Sequence, residues 1–171
     1  MNSQDQTPTY RFIAGIALSI LSGAMLLFSF QPYGMWYLAW IALVPMSLAQ
    51  YRLLPKKWSS LAPALGIGIW LGFFLGRLFG PDFGPFFQYL GVLIGILNFF
   101  MAKSRNFHDL TGYRYFVIFG ILDWVGFEMI RATIIPLVAT NGFIGYTQSM
   151  QPWLIQPVSI FSIYGLDLLI M

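Results

Sequence analysis

The sequence predicts an all-α membrane protein, about six transmembrane helices in an antiparallel bundle with a cytoplasmic N-terminus, and three observations predict it. The first is composition: of 171 residues 58% are hydrophobic, 19% aromatic and only 9% charged, with a mean hydropathy of +0.71, far from the mix of a soluble domain. The second is that the apolar residues fall into long uncharged runs separated by short breaker-rich or basic segments. The third is where the nine Lys and Arg residues sit. Assigned to alternating sides, seven of them (Arg11, Arg52, Lys56, Lys57, Lys103, Arg105 and Arg114) share the side of the N-terminus, leaving Arg77 and Arg131 for the other, which orients the N-terminus inward.

Met1 to Arg11 is a polar lead, and residues 12–171 form one multi-pass membrane domain. Phe12 to Phe30, uncharged over its length, reaches about 28 Å as a helix, close to the roughly 30 Å of a hydrocarbon core. Its length and the lack of a small-residue exit site argue for a retained helix over a cleaved signal. Pro32 and Gly34 then force a tight hairpin, so a second span, about Met35 to Gln50, returns antiparallel. "YRLLPKKW", Tyr51 to Trp58, supplies cations and interfacial aromatics at a headgroup boundary. A third span covers about Ser60 to Phe79; "GPDFGP", Gly80 to Pro85, interrupts the run; a fourth follows from Phe86 to about Ala102. After the polar loop Lys103 to Arg114 come a fifth span, Tyr115 to about Ile135, and a sixth from near Trp153, still apolar at Met171. The Pro136 to Gln151 segment is expected on the outer side, roofing or re-entering the bundle, because irregular backbone at membrane depth needs cover. Pro157 is expected to bend the sixth span, and the chain to be a fragment or amino-terminal module truncated within it.

Composition also excludes chemistry. With no cysteine and a single histidine, His108, thiolate nucleophiles and Cys or His metal clusters are not available; neither a metal nor another cofactor is expected. The basic residues cluster between apolar runs, as cations facing an anionic leaflet do, so nucleic acid is not expected as a partner.

Two features remain. Ala64, Gly68, Gly72 and Gly76, with Gly91 and Gly95 one run later, form small-residue ridges for close helix packing. "ILDWVGFEMIR", Ile121 to Arg131, carries Asp123, Glu128 and Arg131 where a charge costs about 2.5 to 3.5 kcal/mol on insertion scales. Glu128 and Arg131, three apart, are expected to pair with each other at the outer mouth; Asp123 points elsewhere and needs a partner from another helix or from water.

"FSFQPYGMWYLAWIALVPMSLA", Phe28 to Ala49, together with Trp124, Glu128 and Arg131 in Trp-x-x-x-Glu-x-x-Arg, "GYTQ" at Gly145 to Gln148 and "LIQPVSIFSIYGLDLLI" thereafter, resembles the membrane domain of the apolipoprotein N-acyltransferase family. Where many members place Pro-Trp ahead of their Gly-Tyr-Ser-Gln motif, this chain reads "TNGFI", Thr140 to Ile144. The resemblance implies a cell-membrane module of an enzyme that moves an acyl chain from a phospholipid to the N-terminal cysteine of a lipoprotein, with no catalytic residue in this chain. The family's Glu, Lys and Cys lie in a nitrilase-like extracytoplasmic domain, for which this chain has no cysteine. Phospholipid, a lipoprotein substrate and that catalytic domain are the implied partners. Trp124, Glu128, Arg131, Tyr146 and Gln148 are implied to line a lipid-headgroup or interdomain cavity. A competing expectation from another class is a non-enzymatic scaffold for a separately encoded enzyme, such as a polyprenol-phosphate glycosyltransferase.

Overall fold

The computed structural model describes residues 8–101, 104–134, 142–156 and 158–171, and every regular element among them is helical. Helix α1, Thr9–Ser29, begins after Pro8 and ends where Phe30 turns extended. The hairpin expected at Pro32 is present: Gly34 N–H donates to the Phe30 carbonyl and Met35 N–H to that of Phe28, both at 3.1 Å. The chain then returns along α1. Ser22 Oγ donates to the Ala42 carbonyl, and at Gly15 an added Cβ would stand 2.8 Å from the Leu54 side chain.

That return is not the single helix the hydropathy predicts. It is a 3-10 turn at Trp36–Trp40, a short helix α2 at Leu43–Leu48 and a π turn at Ala49–Leu53. Pro45 supplies the reason. It has no N–H to donate back to Ile41 and fits only the first turn of a helix, so α2 must start afresh just before it.

After a 3-10 turn at Lys56–Trp58, α3 runs Leu61–Leu78 and α4 runs Gly80–Met101. The expected break at "GPDFGP" is corrected here. Phe79 alone turns the corner, helped by Gly80 at φ +68°, and the whole motif is helical, with Pro85 inside α4. The two helices then touch backbone to backbone: a Cβ on Gly91 would lie 2.5 Å from the Leu71 carbonyl carbon, and one on Gly95 would lie 2.7 Å from the Ala64 oxygen. The small-residue ridges therefore meet as expected.

The polar loop contains a short helix, α5, Ser104–Leu110. Arg105 Nη1 donates to the carbonyls of Gln50, at 2.9 Å, and Leu54, at 2.7 Å, and Lys56 Nζ lies 2.9 Å from Asp109 Oδ2. The two basic segments thus sit together at one end of the molecule. Helix α6 covers Phe116–Ile134. A 3-10 turn at Ile144–Gln148 follows, then α7, Pro152–Ile155, and α8, Val158–Ile170. The expected sixth helix is therefore divided, and Ser162, at φ 60° and ψ 179°, breaks α8 again. The bend assigned to Pro157, and the roof residues Thr140 and Asn141, lie outside the described residues.

Two stretches among the described residues are long and apolar enough to cross a membrane, Thr9–Ser29 and Lys56–Leu78. Packing centres on Trp70, which has no exposed surface and is surrounded by Leu26, Phe30, Trp124, Ile144 and Leu166. Helices α1, α3, α6 and α8 and the turns at Trp36–Trp40 and Ile144–Gln148 contribute buried residues to this one cluster.

Candidate functional site

On α6, Trp124, Glu128 and Arg131 are spaced by four and three, so they share a face, and that face is the buried one. Trp124 stacks on Trp70 with centroids 5.8 Å apart. One turn on, Glu128 is completely buried and its Oε1 accepts the Ile144 N–H at 3.0 Å. Arg131 is the next step along. Its Nη2 donates to the Gly142 carbonyl at 3.0 Å, and its guanidinium lies among the rings of Trp70, Phe127 and Phe143, at 5.9, 5.7 and 5.7 Å from their centroids. Those distances suit cation–π attraction, which grows when water is excluded.

The other half of the site comes from α8. Asp167, with no exposed surface, accepts the Gly145 N–H at 2.6 Å through Oδ1. Two successive amides, Ile144 and Gly145, are therefore held by carboxylates from two different helices. The carboxyl groups of Glu128 and Asp167 also interact with each other, and Arg131 is the cation near both. Their second oxygens, Oε2 and Oδ2, receive no hydrogen bond among the described residues. In a dry interior an unpaired amide costs several kcal/mol, and a carboxyl oxygen placed on each of these two amides removes that cost. The arrangement thus pins the Gly142–Gln148 turn to the bundle.

The turn's sequence fits that role. A Cβ at Gly142 would meet Arg131 Nη1 at 2.7 Å, and one at Gly145 would meet Asp167 Oδ1 at the same distance, so both positions need glycine for the polar groups to close in. Thr147 Oγ1 donates to the Ile144 carbonyl at 2.7 Å. The Gln148 amide donates to Thr147 Oγ1 at 2.8 Å and to the Trp36 carbonyl at 3.2 Å, which ties the turn to the first hairpin. Tyr146 alone of the five predicted site residues is exposed, at 43%; its ring stacks with Phe143, centroids 5.7 Å apart.

One expectation needs correction. No Glu128–Arg131 ion pair forms; both residues bind the backbone of the same turn instead, because two orphan backbone groups stand closer to them than they do to each other. Both side chains are buried, Glu128 at 0% and Arg131 at 7% exposed. Asp123 faces outward from this cluster, and the group that acts on it electrostatically is His108 of the basic loop. Asp167 is the residue that the sequence reading passed over. A lone carboxylate in the apolar "IYGLDLLI" carries the same signal that drew attention to Asp123.

The arrangement invites comparison with known proteins. A model of the apolipoprotein N-acyltransferase N-terminal domain matches residues 22–171. The chain belongs to this family. It is 31% identical over 166 residues to an apolipoprotein N-acyltransferase of Geobacter metallireducens, a match covering 90% of this chain and 31% of that protein. It is 28% identical over 166 residues to apolipoprotein N-acyltransferase 1 of Treponema denticola, covering 93% of this chain and 29% of the relative. The chain therefore spans about a third of the length of these curated relatives. No solved structure matches. The polar turn and both helices that clamp it fall within the family's matched region.

Proposed function

We propose that this chain is the membrane module of an apolipoprotein N-acyltransferase-like enzyme, which moves an acyl chain from a phospholipid to the N-terminal cysteine of a lipoprotein. The complete activity needs the cysteine-bearing nitrilase-like domain, since this chain has no cysteine. In this reading the module crosses the cell membrane about six times with its N-terminus in the cytoplasm, and the Gly142–Gln148 turn lies on the outer side. The observation that carries the proposal is the clamp within the family's matched region: buried carboxylates from α6 and α8, with Arg131, fix an irregular turn that presents Tyr146 outward. A rigid, aromatic-tipped turn at that depth supports a role as the floor on which a catalytic domain and its lipid substrate meet. Trp124, Glu128, Arg131 and Gln148 then shape that floor from beneath, and Tyr146 is the member that touches lipid or the catalytic domain.

A chimera tests this. This chain replaces the equivalent membrane domain of the Geobacter metallireducens relative, and acyl transfer from phospholipid to a lipopeptide with a free N-terminal cysteine is measured. The chimera should transfer, Tyr146→Ala should lower its turnover with folded yield unchanged, and the 171-residue chain alone should form no acyl adduct. A folded chimera without activity, or an acyl adduct on the isolated chain, overturns the reading.

A further inference from the structure

Along the outside of the α3–α4 seam runs a groove of about 380 Å³, lined almost wholly by apolar atoms. It exists because the seam is so tight: Gly68 and Gly72 add no side chain of their own to the line of contact, Val92 packs on Gly72, and Leu65, Phe73 and Ile96 stand up beside it. On α3 the groove extends from Leu61 to Phe73, about 18 Å at 1.5 Å per residue, close to the roughly 15 Å that one leaflet contributes to the hydrocarbon core. At one end it meets Trp58, whose ring lies 6.2 Å from that of Phe99. The Lys57 ammonium is 5.9 Å from the Trp58 ring. Lys56, beside it, is engaged with Asp109.

We infer that this groove binds one acyl chain of an anionic phospholipid, with the headgroup phosphate at Lys57 and the tail lying between α3 and α4. The charge and the geometry agree on that occupant: an apolar slot one leaflet long, ending in an interfacial indole and a lysine, complements an anionic amphiphile and offers a zwitterionic one less. The headgroup end of the groove lies beside the basic loops, where Lys56 pairs with Asp109, and none of the residues of the Gly142–Gln148 turn lines it. On the proposed orientation its lipid comes from the inner leaflet.

The test is native mass spectrometry of the chain released from nanodiscs holding equal amounts of phosphatidylglycerol and phosphatidylethanolamine. One phosphatidylglycerol should be retained in preference. Lys57→Gln should reduce that preference about fivefold, and Ile96→Trp, which fills the slot, should abolish retention of either lipid with the circular dichroism unchanged. Photolabelling of the unaltered chain with a phosphatidylglycerol carrying a diazirine on its acyl chain keeps the proposal open to test if the tryptophan variant does not fold: the label should fall on α3 and α4 between Leu65 and Ile96. Equal retention of the two lipids by the unaltered chain, unchanged preference in Lys57→Gln, or labelling confined to other helices overturns it.

Discussion

The α3–α4 seam and the α6–α8 clamp solve one physical problem in opposite ways. Between helices in lipid there is no hydrophobic drive to associate, because the tails are as apolar as leucine. At the seam the chain removes side chains: glycines at 91 and 95 bring backbone against backbone, and dispersion contacts do the rest. At the clamp the contact between helices is sparse and polar groups supply it, with Glu128, Asp167 and Arg131 each bonded to the main chain of the intervening turn. The seam therefore tolerates no added atom at Gly91 or Gly95, whereas the clamp, equally tight at Gly142 and Gly145, depends in addition on keeping its acceptors.

Four measurements sharpen that contrast, and the largest effect is expected at the seam. Gly91→Leu places a side chain where even a Cβ meets the Leu71 carbonyl carbon at 2.5 Å, so it should cost at least about 3 kcal/mol, the upper part of the overpacking range, read as loss of folded yield in detergent. Gly120→Ala, on α6 where an added Cβ meets nothing within 4 Å, should leave yield and melting temperature unchanged. A tolerated Gly91→Leu would remove the distinction between the two regions.

At the clamp, Glu128→Ala leaves the buried Ile144 N–H without an acceptor and should cost about 1 to 3 kcal/mol. Glu128→Gln keeps an amide oxygen in place and should cost less. Because Glu128 and Asp167 hold adjacent amides of one turn, Glu128→Ala combined with Asp167→Ala should cost less than the sum of the two, since the first loss already frees the turn. Thermal unfolding of the three variants gives the coupling, and strict additivity would show that the two carboxylates do not act on a common element.

Smaller effects belong to the basic loop, which lies outside the spans. Burial among Tyr51, Tyr113 and Phe116 holds His108 below the ordinary histidine pKa, against the opposing pull of Asp109 and Asp123. The folded state thus takes up its proton at lower pH than the unfolded chain, whose histidine titrates near 6.5. Stability from neutral His108 is complete above that value and declines as pH falls below it. Melting temperature should accordingly drop between pH 7 and 5, and His108→Phe should flatten the slope in that window. The smallest change is expected for Lys56→Gln. Its 2.9 Å pair with Asp109 is 58% and 35% exposed, and pairs so open to solvent contribute little, less still in high salt. A large loss would mean that Arg105 and Lys56 tie the two loops together as a unit.

Much of the architecture was legible in the residues alone. Helix α1 and the cores of α3, α4 and α6 fall within a few residues of the apolar runs, because an uncharged run of about twenty residues at bilayer depth has helix as its one open way to satisfy the backbone without a neighbouring strand. The first hairpin was readable from Pro32 and Gly34, and the close seam from glycines at every fourth position. The family could be recognised from the motif around Trp124, Glu128 and Arg131, now within a matched region covering residues 22–171. What hydropathy does not encode is continuity. Pro45 splits the second apolar run and Ser162 the last, while "GPDFGP" stays helical, with Pro81 in the first turn, where a proline costs little, and Pro85 inside α4.

The sequence by itself determined the composition class, the places where charge sits at membrane depth and the face of α6 that carries it. Only the tertiary structure decided what those charges meet. A spacing of three between Glu128 and Arg131 permits an ion pair, but the partners nearest to hand are backbone groups of a turn 11 to 16 residues further along the chain, and the second carboxylate arrives from Asp167, 22 residues beyond the amide it holds. Periodicity reports which residues share a face of one helix. Which distant amide stands opposite that face depends on how the chain returns, and that is settled by packing around Trp70 rather than by any local spacing.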